Sequence, residues 1–168
     1  MDQGSNGAVA GDHVSAPTFP LFATMRRLLT RIQAAVDHRT YPAQARDLNF
    51  LAGALCGLMA NASLDLGFQE AADDLARAAW TYGRIIDHDP LIGWARGTQA
   101  LAAIGDDRYL DATRHAEDGL LHAPAGAGAV RLHAIRARAL SAHGDPARQW
   151  RGLTGARSLL GLSWQGRS

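Results

Sequence analysis

Between Leu21 and about Leu160 apolar residues recur at helical spacing, and the β-branched runs that strands prefer are nearly absent, so the pattern predicts an all-α chain. A first helix is expected from about Phe22 to Val36, where Leu21, Met25, Leu28, Leu29, Ile32 and Val36 form one stripe, and Thr40-Tyr41-Pro42 ends it. A second, from about Ala43 to Leu66, carries Leu48, Leu51, Leu55, Leu58, Met59 and Ala62, with Gly67 where a helix end favours a left-handed residue. The third runs from Gln69 to about Ile86 and stops at Asp87-His88-Asp89-Pro90. One helix then begins near Pro90 and closes at Gly105-Asp106-Asp107, and another begins near Ala127 and closes at Gly144-Asp145-Pro146. Gly67, Gly105 and Gly144 are 38 and 39 residues apart, and a period of this size filled by two helices is the signature of stacked helical hairpins. The expected architecture is an array of about seven helices with the first as a cap, comprising a leader at 1–20, one repeat domain at 21–160 and a tail at 161–168.

The middle period carries Trp94, Leu101, Gly105, Ala112, Ala116 and Pro124 in the order of the tetratricopeptide pattern, with about two extra residues around Asp106-Asp107-Arg108. A more specific resemblance covers about residues 22–147. It rests on Gln44-Ala45-Arg46-Asp47-Leu48-Asn49-Phe50-Leu51-Ala52-Gly53, Ala62-Ser63-Leu64-Asp65-Leu66-Gly67, Gly93-Trp94-Ala95-Arg96-Gly97-Thr98-Gln99 and Ala129-Val130-Arg131-Leu132. Taken together these segments resemble the tetratricopeptide-like C-terminal region of actinobacterial helix-turn-helix transcriptional regulators of the Cro/repressor type. Only the leader precedes Leu21, so the resemblance implies a cytoplasmic sensing or interaction domain without its DNA reader, and no DNA-binding residue is carried over.

Composition narrows the classes further. In 168 residues, 47% are apolar and 20% charged, which excludes collagen-like, disordered and membrane-spanning chains. The net charge of +1 hides an asymmetry: residues 1–124 hold ten Arg against fifteen acids, whereas 125–168 hold seven Arg against Asp145 alone. Every basic residue is Arg and fourteen of the sixteen acids are Asp, a bias that G+C-rich coding produces without functional selection. The lone Cys56 excludes an internal disulfide and reads as a small core residue in a reducing compartment. Neither a secretory signal nor an apolar run of transmembrane length is expected.

Aligned on the three turn glycines, Asn61, Gln99 and Arg138 each stand six residues before their Gly, and Gly57, Ala95 and Ala134 stand one turn earlier. In stacked hairpins such equivalent positions form a ladder along the concave wall, so these polar side chains would line a groove for a peptide or small ligand. Arg131, two turns from Arg138, adds a second donor for a carboxylate or phosphate, and Asp65 beside the ladder is the one acid kept as a catalytic candidate. The alternative is that these residues merely populate a solvated face. The seven His lack metal-ligand spacing, and the pairs Asp73-Asp74, Asp87/Asp89 and Asp106-Asp107 read as helix caps. No phosphate loop or nucleophile elbow is present, so no cofactor is expected. Trp80, Tyr82, Trp94 and Tyr109 read as repeat core, with Trp150 and Trp164 covering the open end or meeting a partner.

The leading expectation is a non-catalytic regulatory module binding a protein segment or small effector. The alternatives are a biosynthetic enzyme or accessory protein on the same scaffold, and a low-specificity nucleic-acid surface at Arg131, Arg138, Arg148 and Arg151. Trp150, Leu153, Leu159, Leu160 and Trp164 would leave an apolar end, which predicts a homodimer through the C-terminal repeat or a folded-back tail.

Overall fold

The computed structural model describes residues 18–37 and 41–144. They form six α-helices: α1 (Thr18–Asp37), α2 (Pro42–Asp65), α3 (Gln69–Ile85), α4 (Asp89–Gly105), α5 (Tyr109–His122) and α6 (Ala127–Ala142), with no strand among the described residues. For α1 to α4 and α6 these bounds fall within a few residues of the sequence expectations, which set no bounds for α5. The seventh helix and the aromatic C-terminal end lie outside the described residues. No described helix is long and apolar enough to cross a membrane.

Each helix packs on its successor, and α4 also touches α2 and α6, so α4 lies at the centre and carries the most extensive buried surface. Small residues make that density possible. The buried face of α2 consists of Asn49, Ala52, Gly53, Cys56, Gly57, Met59, Ala60 and Ser63. The leucine stripe expected there is therefore only partly right: Leu51 and Leu58 are exposed, as is Leu28 on α1, because neighbouring helices approach over the Gly and Ala face instead. A Cβ at Gly57 would stand 2.5 Å from the Trp94 ring, and one at Gly93 would stand 3.2 Å from the Gly119 carbonyl. Bulkier residues at these crossings would force the helices apart.

The inter-helix turns repeat in detail. Gly67, Asp87 and Asp107 adopt left-handed backbone, with φ of 79, 51 and 58°. In each turn the next N–H donates to the carbonyl five residues back: Phe68 to Ser63, His88 to Gly83, and Arg108 to Ala103. This arrangement closes three helix ends with the same pair of bonds. Gly144, with φ of 81°, follows α6. Gly105 is different, since it is the last residue of α4 and has no left-handed φ. The turn glycines are therefore not structurally equivalent. Measured between left-handed residues, Gly67, Asp107 and Gly144 are spaced by 40 and 37 residues, and the 40-residue offset also superimposes buried Gly53 on Gly93, Gly57 on Gly97, Ala72 on Ala112 and Ala76 on Ala116.

The acidic pairs lie mainly at turns and helix starts as the pattern predicts, with Asp89 in the first turn of α4, but none of them is a side-chain N-cap. The residues preceding the first turns of α2 to α6 are Tyr41, Phe68, His88, Arg108 and Gly126, and only His88 accepts a bond through its side chain, from the Leu91 N–H to Nδ1 at 3.1 Å. Asp87 and Asp107 supply left-handed turns, a conformation Asp tolerates better than most residues. Asp89 in the first turn of α4 instead accepts from His122 Nδ1 at 2.8 Å, tying the start of α4 to the end of α5.

Candidate functional site

Helices α2, α4 and α6 enclose a groove of about 510 Å³ lined by Asn61, Asp65, Leu101, Gly105, Arg131 and Arg138, with Leu64 and Gln69 completing its wall. Four of the five residues singled out from sequence meet here. The corrected register explains both this convergence and the one that is missing. Six residues before Gly67, Asp107 and Gly144 stand Asn61, Leu101 and Arg138, and all three line the groove. Two residues before the first two of these turns stand Asp65 and Gly105, which line it as well. Gln99 drops out of the ladder because the count from Gly105 is two residues short.

Gln99 is instead 3% exposed and fully engaged. Its Oε1 accepts from Arg96 Nη1 at 2.9 Å, and its Nε2 donates to Asp73 Oδ1 at 3.3 Å. Arg96 also lies over the Trp80 ring at 4.5 Å, faces Asp118 through Nε at 2.5 Å and approaches His115 Nδ1 at 3.4 Å. These bonds join α3, α4 and α5 into one polar connection, and they give Gln99 a structural position between the helices. Burial, together with the Arg96 charge, holds His115 below the ordinary histidine range.

The charged groups of the groove have no protein partner among the described residues. Arg131, Arg138 and Asp65 make no ion pair or hydrogen bond with the described residues. Asp65 and Arg138 are exposed, whereas Arg131 is partly buried, and that burial lowers its pKa. Asn61 Oδ1 accepts from Thr98 Oγ1 at 3.4 Å, leaving its amide nitrogen for other partners. A groove with two cationic donors, one acceptor and an apolar stripe at Leu101 can hold a mixed polar ligand by orientation-specific hydrogen bonds.

Arg131 also borders a second, smaller cavity of about 230 Å³ between the first half of α4 and the α5–α6 connection. Its walls include Pro90, Trp94, Pro124 and Leu132. Trp94 was expected as core, and its ring does pack over Gly57, but it is also a cavity wall. The signal that finds it is the same register: Trp94 and Arg131 each stand thirteen residues before their left-handed turn residue.

Other candidates resolve differently. Cys56 is 1% exposed and burial pushes its thiol up to about 11, as suits a core residue. No group of three or more His, Cys, Asp and Glu among the described residues could hold a metal ion. Of the basic C-terminal block, Arg136 faces Glu117 Oε1 at 3.0 Å, and Arg148 and Arg151 lie outside the described residues. Compared with known proteins, the chain matches no family model, no curated protein and no solved structure.

Proposed function

We propose that this chain is a tetratricopeptide-like regulatory module that binds a protein segment or small effector in the α2–α4–α6 groove, without catalysing a reaction. The observation that carries the reading is the convergence of Asn61, Asp65, Arg131 and Arg138 on one groove, with Arg131, Arg138 and Asp65 unpaired among the described residues. Polar side chains that fold against an open groove without partners of their own are poised for an external one. The resemblance to the sensing region of actinobacterial regulators supports the same class and a cytoplasmic setting. Small residues at helix crossings and the 40-residue internal offset support the repeat type.

The test is capture from cell extract on immobilised wild-type chain and on the Asn61→Ala/Arg138→Ala variant, with helicity checked by circular dichroism. A peptide or small molecule retained by wild type and lost by the correctly folded variant is the expected result. Equal recovery of every bound species removes the groove from consideration. Self-association belongs to the same reading: light scattering at about twice the 17.9 kDa chain mass is expected of a homodimer, and a mass near that of one chain refutes it.

A further inference from the structure

We infer that the smaller cavity beside Arg131 is a binding site for a small carboxylic acid with an apolar body, its carboxylate held by the Arg131 guanidinium. The inference rests on the binding-module reading above, since Arg131 joins this cavity to the larger groove.

The partly shielded arginines elsewhere in the array each face a carboxylate: Arg96 has Asp118, and Arg136 has Glu117. Arg131 is partly buried, and that burial lowers its pKa, yet no described residue provides a counter-ion. A partly shielded guanidinium with no protein counter-ion is open to an anion arriving from outside. The surroundings favour the same sign of charge. Helix α6 begins at this cavity, at Ala127, with Gly126 before it offering no capping side chain and no acid in its first turn. The exposed N–H groups there reinforce the attraction that Arg131 provides.

The rest of the ligand is set by the walls. Pro90, Trp94, Pro124 and Leu132 present apolar surface, with Arg131 as the charged side chain among the lining residues. A phosphate dianion would bring a second charge that these walls cannot satisfy, whereas a planar carboxylate matches the guanidinium fork with its whole charge. At about 230 Å³ the space lies below the roughly 300–1,000 Å³ of drug-sized sites, which limits the body to an aromatic ring or a short alkyl chain. The Trp94 wall suits either.

The experiment titrates the full chain with phenylacetate and hexanoate, with the neutral phenylacetamide and hexanamide, and with inorganic phosphate, using calorimetry and ligand-observed NMR. Both acids are expected to bind, and their amides to bind about tenfold to a hundredfold more weakly, the range for losing a charged hydrogen bond. Arg131→Gln should weaken the acids by a similar factor. Gly128→Leu should block them sterically while preserving the fold, because a Cβ at this helical cavity-lining residue meets nothing within 4 Å. Arg114→Gln, at an exposed arginine of α5 that lines neither cavity, should leave acid binding unchanged. Amides binding as well as acids, phosphate competing fully with the acids, no acid binding to wild type, or indifference to both Arg131→Gln and Gly128→Leu would each overturn the inference. Failure here with capture from extract still dependent on Asn61 and Arg138 leaves the groove reading standing; the opposite pattern removes the groove and keeps the acid site.

Discussion

Replacing Gly67 with Ala probes the register on which the groove depends. Gly67 adopts φ of 79°, and a Cβ there would meet nothing within 4 Å, so the substitution adds backbone strain and no clash. Left-handed backbone costs an L-residue about 1–2 kcal/mol, which is the expected loss of stability. Gly105 should behave differently although the sequence places it at the equivalent turn. Its φ is not left-handed, so Ala gains about 1 kcal/mol of helix propensity. Against that gain, the new Cβ would lie 2.5 Å from the Gln69 side-chain amide, the movable end of a flexible side chain. The two effects nearly cancel. Asp107→Gly should in turn gain up to about 1 kcal/mol by relieving the strain at φ of 58°. Urea unfolding followed by circular dichroism gives the ranking, with thermal midpoints moving roughly 2–4 °C per kcal/mol for a domain of this size. Asp107→Gly should be the most stable, wild type and Gly105→Ala close together, and Gly67→Ala the least stable. If Gly105→Ala loses as much as Gly67→Ala and Asp107→Gly gains nothing, the turn belongs at Gly105, and the geometry that withdraws Gln99 from the groove is wrong.

Gly57→Ala should destabilise despite its helical position, since overpacking against the Trp94 ring costs about 1–3 kcal/mol against about 1 kcal/mol of propensity gained; a midpoint above wild type in urea would contradict the close crossing. Because His115 is held below its ordinary range, its neutral form favours the fold, so its contribution is complete above the unfolded histidine pKa and declines as pH falls through that value toward the folded one. Unfolding midpoints at successive pH values should therefore drop less on acidification in His115→Gln than in wild type, and parallel curves would refute the assignment. Cys56, buried and with its thiol pushed up to about 11, should resist a thiol reagent in the native chain at neutral pH and react fully in denaturant; rapid native labelling would show that α2 opens.

The all-α class and most helix bounds were legible because helix-forming composition and punctuation agree in this chain. Gly67 and Gly144 stop α2 and α6 for the reason their residue type suggests, and Pro42 stands in the first turn of α2. Which face of α2 is buried was less legible. Leu51 and Leu58 promise more apolar contact than Gly53, Ala52 and Gly57, yet the latter are buried because they let α3 and α4 approach closely. A hydrophobicity pattern weighs how much surface a side chain can bury, whereas dense helix packing also rewards side chains small enough to permit contact. The acid pairs do stand at turns and helix starts, Asp87 and Asp107 in left-handed turns and Asp89 in the first turn of α4, while the one side-chain cap comes from His88.

Counting from the sequence reaches some residues that line the groove and misses others. It reaches Asn61 and Arg138 because glycine occupies the left-handed site after both α2 and α6, so the visible punctuation coincides with the physical one. After α4 the left-handed site is taken by Asp107, and Gly105 has another use: it leaves room for the Gln69 side chain from the start of α3. Counting from the glycine therefore selected Gln99, whose face of α4 turns toward Asp73, and overlooked Leu101, whose face turns into the groove. The two-residue excess around Asp106-Asp107-Arg108 was the available signal. The left-handed residues Gly67 and Asp107 and the buried helix positions share one 40-residue offset, so helices and turn stay in register and only the glycine is displaced. The special standing of Arg131 had no comparable signal. Its sequence neighbours place it on a helix face, but the cavity it borders forms where the Ala123–Gly126 connection meets the start of α4, a juxtaposition made by the packing of α5 and α6 against α4 and not by local pattern.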